Sequence, residues 1–267
     1  MKSVLLSGRD YGDVGDVGEA AVDRLAVVIS RGGAEKRYDY TDPNEDVALA
    51  AAGRYGALVA VADGHWGMRA AELALEHLRD SQAENWLDAE ARSAESWYQD
   101  VLHALVAAND AILAAHLPPD QKPRTTLAFA LARPREDLLV LASAGDSHLF
   151  VAGATQVGEA LPCPRKYNFL GNAPRKASQL AKEVRIEVQS LGDARALFAV
   201  TDGISEHGIG VADPRKAVTG AVATADAAAE RARAAVAARA VLDTALAAHV
   251  ENDAGDNVAV AVAWLDR

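Results

Sequence analysis

Four apolar runs in this sequence start or stop abruptly on a carboxylate. Ala57 to Ala62 (ALVAVA) runs into Asp63-Gly64, and Leu197 to Thr201 (LFAVT) runs into Asp202-Gly203. Val47 to Ala52 follows Glu45-Asp46, and Asn257 to Leu265 (NVAVAVAWL) follows Asp256. Asp146 holds a fifth such place, in the turn after LLVLASAG. Short apolar runs bounded this sharply read as buried strands that deliver their end residues to a sheet edge. A carboxylate at such an edge is partly desolvated and needs a partner. Several carboxylates converging there repel one another unless a cation neutralises them. Taken singly, each acid has an ordinary reading: Asp-Gly after a strand is a common turn, and Glu45-Asp46 is a solvated loop charge. Their joint occurrence is what points to a hard cation held by oxygen ligands, Mg²⁺ or Mn²⁺ rather than zinc.

Composition narrows the field further. The 267 residues carry 27 Lys and Arg against 38 Asp and Glu, a formal net charge of −11. Affinity for nucleic acid comes from basic side chains displacing counterions, so no nucleic-acid partner is expected. The one cysteine, Cys163, allows neither a disulfide framework nor a thiolate metal site, which suits a reducing cytoplasm. The N-terminal apolar stretch, Val4 to Leu6, is too short for a signal peptide. No charge-free apolar stretch reaches the ~18 residues of a membrane span. A cytoplasmic protein with no membrane partner is therefore expected.

Along the chain, Ser3 to Ser7 and Leu25 to Ser30 read as strands, and Gly8 to Gly18 as a loop. Met68 to Asp88 and Ser93 to Ala115 are helical; in the second, Val101, Leu105, Ala108, Ile112 and Ala115 share one face, and Leu117-Pro118-Pro119 ends it. Thr125 to Ala132, Asp137 to Ser143 and His148 to Ala152 read as an antiparallel meander. Glu159 to Lys182 is irregular and longer than an ordinary connection. Val184 to Val188 and Ala196 to Thr201 are strands, Ala212 to Val250 is Ala-rich and helical, and NVAVAVAWL is a last buried strand. Strands, a helix pair, strands, helices and a strand make an α+β order. With no linker and no internal repeat, residues 1–267 read as a single domain.

The ordered motifs resemble those of the PPM family, the metal-dependent Ser/Thr protein phosphatases of the protein phosphatase 2C type. The motifs are Asn44-Glu45-Asp46, Val61-Ala62-Asp63-Gly64-His65-Trp66-Gly67, Thr125-Thr126, Gly145-Asp146-Ser147, Thr201-Asp202-Gly203 with Glu206, and Asp256-Asn257. The resemblance implies a four-layer α-β-β-α sandwich, two antiparallel sheets flanked by helix pairs. It implies two Mn²⁺ or Mg²⁺ ions bridged by Asp63, with Asp202 and Asp256 completing one site and Glu45 and the Gly64 carbonyl the other. Asp46 would hold a metal-bound water, and Asp146 with Glu206 would form a third, weaker site. Activated water would attack phosphorus in one step, with His65 protonating the leaving seryl or threonyl oxygen. The implied partner is a phosphoprotein supplied by a Ser/Thr kinase, and the implied state is a monomer.

The chain departs from the family pattern where phosphate would bind. Thr41 stands where many members have Arg, so Arg37 or Lys36 of the preceding loop is a candidate contact. Arg124 replaces the usual Gly before Thr125-Thr126, His148 replaces an Arg, and Trp66 takes a small-residue position. Glu159 to Lys182 corresponds to the mobile flap of bacterial members, with Arg165, Lys166, Arg175 and Lys176 as a basic rim for a phosphopeptide. These departures leave two other readings: a catalytically silent PPM-like binding module, and a metal hydrolase of a small phosphate compound.

Overall fold

The computed structural model of the chain describes residues 1–88, 90–115, 123–161 and 168–265. Its strands are β1 (Lys2–Ser7), β2 (Val17–Val22), β3 (Leu25–Ser30), β4 (Asp46–Ala52), β5 (Ala57–His65), β6 (Arg124–Thr125), β7 (Leu127–Arg133), β8 (Leu138–Ala144), β9 (His148–Ala152), β10 (Val157–Ala160), β11 (Arg185–Ser190), β12 (Ala196–Val200) and β13 (Val258–Trp264). One sheet has the order β1-β4-β5-β7-β8-β11, with β6 paired to the far end of β5; the other runs β10-β9-β12-β13-β3-β2. The pairings within them are antiparallel.

Helices cover both outer faces. Helix α1 (Arg69–His77) passes through a π-helical turn (Leu78–Ala83) into α2 (Glu84–Asp88), and α3 (Ala94–Ala114) packs beside it; α4 (Ala177–Leu180) is a single turn. On the other side α5 (Pro214–Asp226) and α6 (Arg233–Asn252) pack on each other. The strands read as unbroken apolar runs because both their faces are buried. In β4, Leu49 and Ala51 pack toward α1 and α3, while Ala48 and Ala50 face the second sheet. In β13, Val258, Val260 and Val262 pack under α5 and α6, and Ala259, Ala261 and Ala263 face the first sheet. Side chains alternate with period two, so one strand feeds two cores. Each fully buried Val or Leu contributes roughly 1.5–3 kcal/mol. The result is the α-β-β-α sandwich that the motifs imply.

Several local expectations change. Strand β2 begins only at the last two residues of the segment read as loop and continues beyond it; its alternation is weak, and it is held by β3 across a turn in which Asp23 adopts φ 52°. The Ala-rich stretch is two helices, interrupted between Asp226 and Arg233. No glycine or proline marks that interruption, so the periodicity hides it. The first helical segment is helical from Arg69 to Asp88 with a π turn in its middle, and the strand expected over Thr125 to Ala132 divides at Thr126. Helix α3 fits its expectation closely: Val101, Leu105, Ala108 and Ile112 are buried, and Ser93 caps its N-terminus by accepting from the Ser96 amide. Cys163, Leu117-Pro118-Pro119, Arg165 and Lys166 lie outside the described residues.

Antiparallel register brings the acids together. Asp46 at the start of β4 pairs with Asp63 near the end of β5. The end of β12, which leads to Asp202, pairs with the start of β13, which follows Asp256. All four therefore lie at one end of the sandwich, together with the β8–β9 turn that carries Asp146.

Candidate metal centre

Asp63, Asp146 and Asp202 each offer a carboxylate oxygen, and these oxygens lie within 4.8 Å of one another. Each acid is held by its own local device. The Asp63 carbonyl accepts from Thr125 Oγ1 at 2.8 Å and from the Thr126 amide at 2.9 Å, while its amide donates to Thr126 Oγ1 at 2.9 Å. Thr126 Oγ1 is in turn bonded to Ser147 Oγ at 2.9 Å, tying the Asp63 strand to the Asp146 turn. Gly145 makes that turn at φ 103°, a conformation that costs glycine little. Asp202 opens a 3₁₀ turn whose carbonyl accepts the amides of Ser205 and Glu206. A side chain on the following Gly203 would lie 1.9 Å from the Asn257 carbonyl, so only glycine lets the Asp202 and Asp256 segments approach.

The flanking acids are arranged differently. Glu45 Oε1 accepts three amides, from Thr41 and Asp42 at 3.0 Å and Gly67 at 2.8 Å, which leaves Oε2 to other partners. Gly64 packs its backbone on Glu45, donating to the Glu45 carbonyl at 3.1 Å. Asp46 is fully buried; Oδ2 accepts from Thr201 Oγ1 at 2.7 Å, and Oδ1 has no partner. Asp146 Oδ1 is likewise buried and unpartnered. Asp256 Oδ1 accepts from Tyr38 Oη and, at 2.7 Å, from the Asn257 amide. Glu206 is half-buried beside this group.

Electrostatics follow from that crowding. Burial, then the neighbouring carboxylates, pushes Asp63 and Asp202 well above the ordinary range. Burial raises Asp46 to about 7. Burial also raises Glu45, Asp146 and Glu206, against the amide bonds that favour the Glu45 anion. Orphaned buried oxygens, carboxylates within ligand distance of a common point and an all-oxygen donor set fit a hard divalent cation. Tyr38 is also raised, by burial of its hydroxyl and by Asp256.

His65 ends β5, with Nε2 at 3.4 Å from Asp63 Oδ2 and no hydrogen-bond partner. Its ring meets Phe169 edge-on at 4.5 Å. Arg124 faces His65 in the β5–β6 register and stacks on the same phenyl ring at 4.8 Å. Burial, then the Arg124 charge, lowers the His65 pKa to about 4. Phe169 belongs to the Glu159–Lys182 segment, whose next residue, Leu170, makes two backbone hydrogen bonds with Thr125. Phe169 and Leu170 thus wall the site beside His65.

The basic candidates separate. Arg124 stands beside His65. Arg37 is turned away, its guanidinium on the carbonyls of Asn252 and Asp253 at the C-terminus of α6. Lys36 enters the carboxylate cluster instead. Arg175 is committed to the Phe169 carbonyl and Glu183, and Lys176 is exposed. His148 bridges Glu159 Oε1 at 2.7 Å and Ser205 Oγ at 2.6 Å, fastening β10 to the Asp202 turn. Sequence reading did not find Tyr38, Asn257 or Phe169 as contacts; the aromatic-basic run Lys36-Arg37-Tyr38-Asp39-Tyr40 was the available signal for the first.

Residues 35–247 match the family model described as protein phosphatase 2C. No curated protein matches the chain. Among solved structures it is similar to the catalytic domain of the serine/threonine phosphatase PstP, in complex with 2 manganese ions (TM-score 0.63, 20% identity, 91% of this chain and 98% of that one). It is similar to the PPM Ser-Thr phosphatase MsPP from Mycobacterium smegmatis, in complex with cacodylate (TM-score 0.60, 20% identity, 92% and 100%). A bacterial serine phosphatase is a third such structure (TM-score 0.64, 16% identity, 92% and 98%).

Proposed function

Since the chain belongs to the protein phosphatase 2C family of metal-dependent Ser/Thr protein phosphatases, we propose that it hydrolyses phosphoserine and phosphothreonine in proteins using Mn²⁺ or Mg²⁺. The observation that carries this reading is the convergence of Asp63, Asp146 and Asp202 within 4.8 Å. In this proposal residues 1–267 form one phosphatase domain. Asp63, Asp202, Asp256, Glu45 and the Gly64 carbonyl would hold two divalent ions, Asp46 would orient water beside them, and Asp146 with Glu206 would hold a third, weaker ion. Bound there, two ions supply Lewis acidity toward both the phosphate and the attacking water.

The remaining chemistry falls to the side chains around them. An alkoxide is a poor leaving group, so a nearby proton donor contributes substantially. His65 Nε2, buried and unbonded, is placed for that role. With a pKa lowered to about 4 the imidazole is neutral near pH 7. A phosphate dianion against Nε2 favours the protonated ring and shifts it back toward donation. Arg124 lies beside His65 with a buried, unbonded Nε, so it presents a donor to the same phosphate. Phe169 packs edge-on against His65 on that side. A Ser/Thr kinase would make the substrate.

The experiment is hydrolysis of an aryl phosphate and of phosphoserine and phosphothreonine peptides, with Mn²⁺ and after chelation. Metal-stimulated release of phosphate from the peptides is expected. Equal activity without metal would refute the reading. A preference for small phosphate compounds by orders of magnitude would move the substrate away from proteins. Mn²⁺ binding without turnover would favour a silent module.

A further inference from the structure

Lys36 has an unusual environment for a lysine. Its side chain is 4% exposed, and Nζ donates to Asn257 Oδ1 at 2.6 Å and lies 3.2 Å from Asp256 Oδ1. The rings of Tyr38 and Tyr40 stand 5.2 and 5.4 Å from the same ammonium. Burying a charge demands such partners. Asn257 is itself anchored. Asn257 Oδ1 also accepts the Glu45 amide at 2.9 Å, and Asn257 Nδ2 is anchored on the carbonyls of Arg31 and Pro43. The ammonium is therefore held against the Asp256 carboxylate.

Asp256 Oδ1 is already contacted by Tyr38 Oη, the Asn257 amide and Lys36 Nζ. A hard divalent ion needs a direct bond of roughly 2.0–2.6 Å to such an oxygen. An ammonium a few ångström from that ion repels it. We infer that Lys36 is a built-in monovalent cation at the Asp256 end of the cluster, competing with a divalent ion for that carboxylate and setting a high metal threshold for this protein. The inference rests on the metal reading proposed above. It assigns Lys36 a role as a metal antagonist that is displaced outward when the divalent ion enters. Asn257 and the two tyrosines hold the displaceable charge in place until then.

Calorimetric titration with Mn²⁺ at pH 8 and fixed salt tests it on the full chain, comparing wild type, Lys36→Met and Lys36→Arg. The neutral variant is expected to bind its tightest-affected ion about tenfold or more tightly, because one like charge has left the site. The Arg variant keeps the charge and is expected to stay near wild type. Lys36→Met with an unchanged or weaker Mn²⁺ affinity overturns the inference. Wild type that takes up no Mn²⁺ overturns the metal reading as well, so the two failures are distinguishable. Should the Met variant not fold, lysine reactivity in wild type decides. Reductive methylation of Lys36, read by peptide mass spectrometry against exposed Lys216, is expected to rise several-fold when Mn²⁺ is added to chelator-treated protein. Reactivity that stays constant or falls overturns the inference.

Discussion

Glu72 and Asp46 are both buried carboxylates, and the fold treats them in opposite ways. Glu72, on α1, accepts from Ser7 Oγ at 2.9 Å, from Arg9 Nε and Nη2 at 3.0 and 2.7 Å, and from Arg69 Nη1 at 3.0 Å. Burial alone would raise its pKa; the bonds from Arg9, then Arg69 and Ser7, outweigh it and hold the group below its usual range. Asp46 receives one side-chain hydrogen bond, from Thr201, and keeps Oδ1 bare. Its pKa rises to about 7. A carboxylate left short of partners costs stability, because buried charge needs compensation. Glu72 shows that this chain satisfies a buried acid where the acid serves the fold. The acids at the strand ends stay under-compensated within the chain, which fits the divalent ion proposed for them.

Substitution at the two sites should break them in different ways. Asp202→Asn is expected to lower Mn²⁺-dependent phosphate release by about a thousandfold or more, since on the proposed reading the ions would carry most of the barrier reduction. Its melting temperature in chelator should hold or rise. Glu72→Gln is expected to keep activity within about twofold while losing roughly 1–3 kcal/mol of stability, discounted because Arg9 is half exposed. Denaturant unfolding and initial-rate assays on the two variants check this. An active Asp202→Asn, or a Glu72→Gln that fails in activity but not stability, would dissolve the contrast.

The pH dependence of stability separates the sites by sign. Asp46 has a folded pKa of about 7 against an ordinary 3.8, so the folded state holds more protons between those values and its stability falls as pH rises through that window. Glu72 has a lowered folded pKa, so its contribution is present above 4.5 and is lost as pH falls through the folded value. In chelator, Asp46→Asn should therefore gain on the order of 1–3 kcal/mol at pH 8 and little at pH 4. Glu72→Gln should flatten the acid limb instead. Urea unfolding across pH 2 to 8 reads both; a pH-independent gain in Asp46→Asn would count against the assigned cause.

Much of this arrangement was legible in the sequence because strand ends are marked by abrupt changes. ALVAVA-Asp63 and Asp256-NVAVAVAWL announce both the strand and the acid it carries. What the pattern could not give is register. That Asp46 sits opposite Asp63, and that Asp146 comes beside Asp63 and Asp202, depends on which residues pair across sheets. Lys36 and Arg37 show the same limit on a smaller scale. Both are basic neighbours in one loop, yet one points into the cluster and the other caps α6, a choice made by Asn257 and by the helix carbonyls rather than by local sequence. The break between α5 and α6 was invisible because alanine is as good a helix former before it as after.

His65 and Arg124 offer a third comparison, a cation-capable group beside a fixed cation. Burial is the larger cause of the low His65 pKa and Arg124 the second. Arg124→Gln should raise the value from about 4 without restoring the usual 6.5, since burial remains. An NMR titration of His65 reads the shift directly. A fall, or no movement, would show that the Arg124 charge does not reach the ring. The same variant should raise KM for phosphopeptides more than it lowers kcat, as expected for a lost phosphate contact.

The smallest effect concerns Trp66, the residue after His65. It is 46% exposed, so its bulk stabilises no core, and it adopts φ 66°. A left-handed conformation costs an L-residue roughly 1–2 kcal/mol, of which glycine's greater unfolded-state freedom would return part. Trp66→Gly is therefore expected to raise stability by about 0.5–1 kcal/mol. If the indole is kept for contact with a substrate chain, the same change should slow phosphopeptide hydrolysis and leave an aryl phosphate nearly unaffected. That would make Trp66 a backbone counterpart of Asp46, a local cost retained at the mouth of the site. A Trp66→Gly variant that loses stability, or that slows both substrates equally, would instead make the indole part of the scaffold that holds His65.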